Sequence, residues 1–261
     1  MSIFDLFRLD GSTVVVTGAS SGIGRAIAEA VAEAGARVVC AARGDATHET
    51  VASIRAAGGQ AMGMQADVTD EQAVKALMGA AVSEFGSLDV VFANAGTSDH
   101  YLRADETPLD VWHEVVDANL TSVFLCVKHA APHMIAQGHG KLIPTASIWG
   151  EVGATSVPIP AYAAAKGAVI NLTRELALEY AEHGITVNAI SPGFFMTQIG
   201  ADKTPPPGTI DRLVEAAIES VPTKRIMEPT EIQGAAIFMA SRASDAMNGH
   251  VLTVDSGALA G

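Results

Sequence analysis

The sequence predicts an α/β protein with one doubly wound parallel sheet of about seven strands and helices on both faces. Two observations support this class. Short, nearly continuous apolar runs alternate with longer helical patterns almost throughout the chain, and such runs are typical of parallel strands buried on both faces. The chain has 261 residues, 49% of them hydrophobic, which is enough for one large core. We therefore expect a single domain over residues 1–261.

Seven segments have the composition of strands, and they are residues 12–18, 36–42, 59–66, 88–95, 141–147, 185–191 and 250–255. Helical patterns lie at about 22–34, 46–57, 70–85, 108–137, 161–182 and 229–241. This alternation predicts βαβ units with right-handed crossovers. The stretch 193–220 breaks the alternation, because its three consecutive prolines forbid a regular helix or central strand. We interpret residues 194–220 as a lid, with an ordinary surface loop as the alternative.

Charge and cysteine content limit the partners of this protein. A formal net charge of −13 argues against nucleic acid and anionic membranes. No apolar run approaches the roughly 20 residues needed to span a bilayer, and the N-terminus lacks the pattern of a signal peptide. Cys40 and Cys126 have neither disulfide nor zinc spacing and suit a reducing compartment. We expect a cytoplasmic protein with no nucleic-acid or membrane partner.

A glycine-rich segment, "TGASSGIG", follows the first strand and opens a helix. Glycines there let the turn adopt positive φ and let the backbone approach a ligand closely, while the helix directs free N–H groups at a pyrophosphate. The spacing of Gly18, Gly22 and Gly24 is wider than the usual G-x-G-x-x-G fingerprint. The context predicts a Rossmann-like dinucleotide site, with a plain tight turn as the alternative.

The end of the second strand bears on the choice of cofactor. Dinucleotide binders often place an acid there to hold the ribose 2′-OH, whereas this chain has Arg43, which could pair with a 2′-phosphate. NADP is therefore somewhat favoured over NAD, although the nearby Asp45 offsets part of the charge. Asp67 follows the third strand and either caps the next turn or contacts an adenine amino group.

The stretch "PAYAAAKGAV" places Tyr162 and Lys166 four residues apart, on one face of a helix. Taken alone, this pair would suit an ordinary surface helix. Five motifs, however, occur in order along the chain: "TGASSGIG", "ADV", "ANAG", "YAAAK" and "SPG". They resemble those of the short-chain dehydrogenase/reductase family, from about residue 10 to residue 258. The resemblance implies hydride transfer between a nicotinamide and an alcohol or ketone. It also implies assembly as a dimer or tetramer, and we expect a homotetramer.

The resemblance also implies roles for individual residues. Tyr162 is expected to be the catalytic acid/base and Lys166 its partner, Ser147 to hold the substrate oxygen, and Asn119 to organise a proton-relay water against Lys166. The expected cofactor-binding residues are Gly18, Ser20, Ser21, Gly22, Ile23, Gly24, Arg43, Asp67, Val68, Asn94, Ala95, Gly96, Tyr162, Lys166, Pro192, Gly193 and Thr197.

The chemistry requires these residue types. A tyrosine with an ordinary pKa of about 10 is mostly in the wrong form to act as a base. The charge of Lys166, together with the oxidised nicotinamide, is expected to lower that pKa, while Ser147 stabilises the developing oxyanion. Ser147 and Tyr162 lie 15 residues apart, two more than is common in the family. The longer loop between them is expected to reshape the substrate wall.

Other candidates are open to more than one interpretation. His129 and His133 have a spacing that can bind metal, but no third ligand completes a site, so we expect a helix-face or subunit-contact role and no metal. Aromatic and histidine side chains on expected loops either line the substrate pocket or pack elsewhere, and they are His100, Tyr101, Trp149, Phe194 and Phe195. Helices 108–137 and 161–182 are the expected oligomer interface.

Two classes of function compete. The leading hypothesis is an oxidoreductase acting on a secondary alcohol or its ketone. A faint similarity to the family's sugar-acid and polyol dehydrogenases puts sugar acids, polyols and alicyclic alcohols among the candidate substrates. A 3-oxoacyl-thioester reductase is the enzymatic alternative. It would require a basic patch near the pocket mouth to bind a carrier phosphate, and only Arg103, Lys203 and Arg212 are available there. A non-catalytic nucleotide-binding scaffold is disfavoured because both Tyr162 and Lys166 are present.

Overall fold

The computed structural model describes residues 2–154, 156–199, 203 and 207–260. In this part of the chain the strands are β1 (Thr13–Thr17), β2 (Arg37–Ala42), β3 (Gln60–Gln65), β4 (Val90–Ala93), β5 (Gly140–Pro144), β6 (Ile185–Val187), β7 (Ala189–Pro192) and β8 (Val251–Val254). The helices are α1 (Gly22–Glu33), α2 (Thr47–Ala56), α3 (Glu71–Phe85), α4 (Leu109–Val116), α5 (Ser122–Gln137), α6 (Pro160–Tyr180), α7 (Thr209–Ser220) and α8 (Gln233–Ala240).

The central sheet is parallel, with strand order β3-β2-β1-β4-β5-β6. Apolar side chains cover both of its faces, as continuous apolar strands require. Val15 of β1 packs with residues of α3, α5 and α6, whereas its neighbours Val14 and Val16 pack with residues of α1, α2 and α8. The predicted α/β class, with helices on both faces of a parallel sheet, is therefore confirmed.

The strand count of about seven is wrong, because the central sheet has six strands. The run predicted as one strand over 185–191 is divided at Asn188 into β6 and β7. The Asn188 side chain donates to the Met247 carbonyl at 2.8 Å and accepts the His250 N–H at 2.9 Å. As a result β7 pairs with β8 in a separate two-stranded sheet, joined to the end of β5 by a bridge between Thr145 and Ile190.

The segment expected to be a lid contains more regular structure than predicted. Helix α7 begins at Thr209, just beyond the three prolines, which therefore precede the helix instead of interrupting it. Parts of the expected lid, residues 200–202 and 204–206, lie outside the described residues. The predicted helix 108–137 occurs as α4, a wider π-helical turn over Asp117–Thr121, and α5. Among the described residues, no helix combines the length and apolarity needed to cross a membrane.

Candidate active site

A cavity of about 820 Å³ opens at the carboxyl ends of the strands, where ligands bind in open parallel sheets. It brings together all of the site residues expected from the sequence. The expected catalytic residues that line it are Asn119, Ser147, Tyr162 and Lys166, and the expected cofactor residues that line it are Gly18, Ser20, Ser21, Gly22, Ile23, Gly24, Arg43, Asp67, Val68, Asn94, Ala95, Gly96, Pro192, Gly193 and Thr197.

The glycine-rich turn at one end of the cavity has the geometry of an anion cradle. Gly18 adopts a left-handed φ of +69°, which favours glycine. A Cβ at Gly24 would collide with the Gly18 carbonyl and lie 2.6 Å from the Asn94 amide nitrogen. At the start of α1, Ser21 makes no side-chain cap hydrogen bond, so its first N–H groups are available to a bound anion. These features fit a dinucleotide pyrophosphate.

Arg43 and Asp67 lie at the adenosine end expected for such a ligand. Arg43 is exposed and lines the cavity, and it forms no ion pair within the described residues. Asp67 caps the following turn by accepting the N–H of Thr69 at 2.9 Å and its hydroxyl at 2.7 Å. Partial burial opposes the shift, but these hydrogen bonds and the Arg43 charge hold the pKa of Asp67 below its ordinary value. Asp67 therefore caps a turn and also lines the cavity.

A hydrogen-bond network holds the segment after β4, and two of its members were missed from the sequence. The Thr17 hydroxyl accepts the N–H groups of Asn94 and Ala95, each at 3.0 Å. The Asn94 amide donates to the Thr17 carbonyl at 3.0 Å and accepts the Thr145 hydroxyl at 3.2 Å. Thr17 is the last residue of β1 and Thr145 directly follows β5, and a polar residue at the carboxyl end of a buried strand is the signal that could have identified them.

Ser147, Tyr162 and Lys166 converge at the other end of the cavity. Ser147 follows β5 and caps a short 3-10 turn by accepting the Trp149 N–H at 3.2 Å. The Lys166 ammonium donates to the Thr145 carbonyl at 2.7 Å and lies 5.6 Å from the centre of the Tyr162 ring. Because Lys166 is only 3% exposed, its hydrogen bond to this carbonyl holds the ammonium group in one position.

Burial dominates the ionisation of the pair. It raises the pKa of the Tyr162 phenol, and a hydrogen bond with Ser147 opposes that rise. It also lowers the pKa of Lys166 to about 8. The expected lowering of the tyrosine pKa by Lys166 together with the oxidised nicotinamide concerns the complex with the cofactor and stays a prediction, whereas in the protein alone burial sets the direction of the shift.

Asn119 lies in the π-helical turn between α4 and α5. Its amide nitrogen donates to the Thr97 carbonyl at 3.0 Å and the Val115 carbonyl at 2.9 Å. Its carbonyl oxygen is buried and has no hydrogen-bond partner among the described residues. A buried unsatisfied acceptor is rare and calls for a partner such as water or a ligand. Both this oxygen and the Lys166 ammonium lie beside Gly96, since a Cβ at that glycine would be 2.5 Å from the oxygen and 3.8 Å from the ammonium.

The rest of the cavity wall combines apolar side chains with polar ones, and the polar ones include Thr97, Ser98, Glu114, Asp117 and Gln198. Trp149 and Phe194 meet edge to face with ring centres 5.5 Å apart, and the lengthened loop after β5 contributes Val157 and Ile159. Of the two alternatives left open for the aromatic residues, Tyr101, Trp149, Phe194 and Phe195 follow the first and line the cavity. His100 is not among the lining residues and pairs instead with Glu114 of α4 at 3.1 Å. Helix α7 adds Leu213.

Cations and metal-ligand clusters are scarce at this cavity. Arg43 and Lys166 are the only lysines or arginines among the residues that line it, and the segments outside the described residues contain neither type.

The histidines of α5 show no sign of a metal site. His129 contacts the carboxylate of Glu71 at 3.2 Å, and Lys128 binds the same carboxylate. In the described chain, no three His, Cys, Asp or Glu side chains are arranged to hold a metal ion.

The parallel sheet, the glycine cradle and the Ser–Tyr–Lys arrangement define the class as a dinucleotide-dependent α/β oxidoreductase. Comparison with known proteins agrees. A family model described as Enoyl-(Acyl carrier protein) reductase matches residues 18–258. The chain belongs to the short-chain dehydrogenase/reductase family, whose members are NAD(P)-dependent oxidoreductases of CH–OH and C=O groups.

Three relatives illustrate the similarity. The chain is 42% identical to cis-4-hydroxycyclohexanecarboxylate dehydrogenase of Sinomonas cyclohexanicum, over 93% of this chain and 94% of that one. It is 36% identical to 2-dehydro-3-deoxy-D-gluconate 5-dehydrogenase of Bacillus subtilis, over 98% and 97%. A solved structure from Beutenbergia cavernae that contains bound NADP at low occupancy aligns with a TM-score of 0.89 and 37% identity, covering 98% of this chain and all of that one.

Proposed function

We propose that this protein is an NADP-dependent oxidoreductase that interconverts a small alicyclic secondary alcohol and its ketone. The observation that carries the proposal is a continuous cavity, in which a phosphate cradle with Arg43 at one end leads to Ser147, Tyr162 and Lys166 at the other. Similarity to an enzyme named for a hydroxycyclohexane substrate and to a structure with bound NADP supports it.

The cavity residues fit a nicotinamide dinucleotide. The cradle and the uncapped start of α1 would hold the pyrophosphate, Arg43 the 2′-phosphate and Lys166 the nicotinamide ribose, with Asn94–Gly96, Pro192–Gly193 and Thr197 along the rest of the cofactor. When bound, the nicotinamide supplies or accepts the hydride. The remaining requirement, a proton at the substrate oxygen, belongs to the protein.

Three side chains manage that proton. In reduction, Tyr162 gives its phenolic proton to the substrate oxygen as the C=O bond becomes C–O–H, and Ser147 donates a hydrogen bond to the same oxygen. Lys166 keeps a positive charge near the phenolate and passes a proton towards it. Asn119, with its unpaired carbonyl oxygen, would hold the water that links Lys166 to solvent. In oxidation the same proton moves the other way.

The apolar part of the cavity wall supports a ring-shaped substrate. Trp149, Phe194, Val157, Ile159 and Leu213 offer surface that matches a hydrocarbon ring, and such burial contributes about 25 cal/mol per Å². A sugar acid would instead require a polar partner for each of its several hydroxyls, and this apolar part of the wall offers few. These side chains therefore favour an alicyclic ring over a polyhydroxylated chain.

The 3-oxoacyl-thioester alternative has weaker support. A carrier phosphate at the pocket mouth would require unpaired basic side chains. Arg103 instead pairs with Asp105 at 3.0 Å, and the ammonium of Lys203 pairs with the carboxylate of Glu114. These ion pairs therefore neutralise two of the three basic side chains that the sequence offers for a carrier phosphate.

Further expectations belong to the same proposal. We infer a single domain, a cytoplasmic location and a homotetramer. Phe124 of α5 and Leu178 of α6 are 48% and 79% exposed, which supports an interface on these helices. Residues 194–220 would act as a lid, and the pairing of Lys203 with Glu114 supports this role because it ties the segment to α4 at the cavity.

A substrate panel tests the proposal. The purified protein is assayed with NADPH and cyclohexanone-type ketones, with NADP and 4-hydroxycyclohexanecarboxylate, and with NADP and hexonates. We expect kcat/KM to be at least about tenfold higher for ring substrates, because only they fill the apolar wall. Preferential oxidation of hexonates would contradict the substrate class, and absence of turnover with every substrate would contradict the enzymatic function.

A further inference from the structure

The start of α6 depends on a residue from another part of the chain. Its N-terminal flanking residue is Ile159, whose side chain cannot accept a hydrogen bond, and Pro160 follows as the first helical residue. The first N–H groups of a helix have no partner within the helix, and a Ser, Thr, Asp or Asn just before the helix ordinarily supplies one. Because α6 carries Tyr162 as its third residue, whatever binds these N–H groups also fixes the backbone of that tyrosine.

Asp99 supplies the missing acceptor. One oxygen of its carboxylate accepts the N–H of Ala161 at 2.9 Å and that of Tyr162 at 3.0 Å. The other oxygen accepts the N–H of His100 at 2.8 Å. Asp99 is fully buried, and it forms no ion pair with a cation in the described chain. Three N–H donors and the positive end of α6 therefore stabilise its charge.

The same segment also shapes the cavity wall. Two residues after Asp99, Tyr101 has a left-handed φ of +60°, a conformation that costs a non-glycine residue on the order of 1–3 kcal/mol. Tyr101 nevertheless lines the cavity and packs in the same apolar cluster as Tyr162. The carboxylate thus links the start of α6 to the segment that carries the strained Tyr101.

We propose that Asp99 is a positioning residue for the reaction, acting through the backbone of Tyr162 to hold its phenol in register with Ser147. This inference rests on the proposed function. Asp99 has no contact with the reacting atoms in this account. A displacement of about 1 Å at a reacting group can cost on the order of 100-fold in rate, so loss of the anchor is expected to lower kcat more than it weakens cofactor binding.

The chain offers a matched control. Asp70 caps α3 in the same manner, accepting the N–H groups of Gln72 at 2.8 Å and Ala73 at 3.3 Å, and it does not line the cavity. The experiment compares Asp99→Ala, Asp99→Asn and Asp70→Ala with the wild type. For each protein, kcat and KM for the ketone, the Kd for NADPH by fluorescence, and the Tm are measured.

We expect Asp99→Ala to lower kcat about 10- to 100-fold with the NADPH Kd within about twofold of wild type. Asp99→Asn is expected to have a kcat between those of the wild type and Asp99→Ala. Its amide oxygen can still accept the α6 N–H groups, but its NH₂ group is a donor and would face another donor, the His100 N–H. Asp70→Ala is expected to lower Tm and leave kcat unchanged.

Equal kcat for Asp99→Ala and Asp70→Ala would overturn the inference, as would a kcat loss matched by an equal loss of NADPH affinity. Should Asp99→Ala fail to fold, wild-type kcat in Asp99→Asn would overturn it and a several-fold loss at unchanged Kd would support it. An inactive wild type contradicts the proposed function instead, so the two failures are distinguishable.

Discussion

Tyr162 and Lys166 illustrate how burial and hydrogen bonding set the chemistry of single residues. The sequence pattern placed them on one helical face, and the structure adds that the Lys166 ammonium is anchored by the Thr145 carbonyl. The direction of the tyrosine pKa shift could not be predicted from the pattern, because it depends on how deeply both groups are buried. The shared helical face of Tyr162 and Lys166 could be predicted from the sequence, whereas the effect of burial on their pKa values required coordinates.

Arg43→Ala tests the cofactor preference at the residue scale. Loss of the guanidinium is expected to raise the Kd for NADPH about 10- to 100-fold, because charge-assisted hydrogen bonds to phosphate are worth about 1.5–3 kcal/mol, and to leave the Kd for NADH within about twofold. Fluorescence titration with both cofactors measures this. Arg103→Ala is the control, since Arg103 does not line the cavity. Equal weakening of both cofactors would refute the 2′-phosphate role.

The buried Lys166 predicts a pH dependence of stability. Its pKa is about 8 in the folded protein against 10.5 ordinarily, so between about pH 8 and pH 10 the unfolded state binds more protons. The free energy of unfolding of wild type minus that of Lys166→Met should therefore rise with pH in this window, by at most about 1.4 kcal/mol per unit. Urea unfolding at several pH values measures the difference. A flat or falling difference would contradict burial of the charge.

At the scale of elements, most of the helices and strands could be predicted because their apolar patterns are long and regular. The exceptions have local causes. The break at Asn188 depends on hydrogen bonds to Met247 and His250, residues distant in sequence, and α7 was missed because the prolines before it obscured its start. The acceptor for α6 was also missed, since Asp99 lies some 60 residues upstream. The lack of a capping side chain at Ile159 was the available signal.

Glu114→Gln tests the connection between α4 and the expected lid. The hydrogen bond and charge of Lys203, with a smaller contribution from His100, hold the pKa of Glu114 below its ordinary value. Because Glu114 is 48% exposed, its contribution is modest, and the substitution is expected to raise KM for the ketone about two- to fivefold with the NADPH Kd unchanged.

Glu71→Gln is the matched control for this prediction, because Glu71 also holds one lysine and one histidine and lies away from the cavity. Steady-state kinetics on both variants make the comparison. If Glu114→Gln and Glu71→Gln had the same KM, the contact with Lys203 would have no role in substrate binding.

For the whole molecule, the order of most elements and the gathering of the expected site residues in one cavity could be predicted from the sequence, since a parallel sheet brings the ends of its strands together at one edge. The substrate wall could not be predicted in the same way. It combines loops after β4 and β5 with α7, and their packing depends on contacts between distant segments, such as that of Trp149 with Phe194. The number of strands in the central sheet also could not be predicted, because β7 and β8 pair with each other in a separate sheet instead of extending the central one.

The assembly prediction belongs at this scale. Leu178→Glu combined with Phe124→Glu is expected to convert a homotetramer into smaller species, because a charge cannot be buried unpaired in an apolar interface. Light scattering coupled to size exclusion measures the mass. Phe4→Glu is the control, since Phe4 is 77% exposed on the N-terminal turn. An unchanged mass for the double variant would place the interface elsewhere.

The central claim is that one cavity binds NADP(H) and that Tyr162 moves the proton there. The most direct measurement compares NADPH consumption, followed by absorbance with a cyclic ketone, in wild type, Tyr162→Phe and the control Tyr180→Phe at the far end of α6. We predict a loss of at least about 100-fold in kcat for Tyr162→Phe, with unchanged NADPH affinity and a normal rate for Tyr180→Phe. Comparable rates in all three proteins would contradict the account.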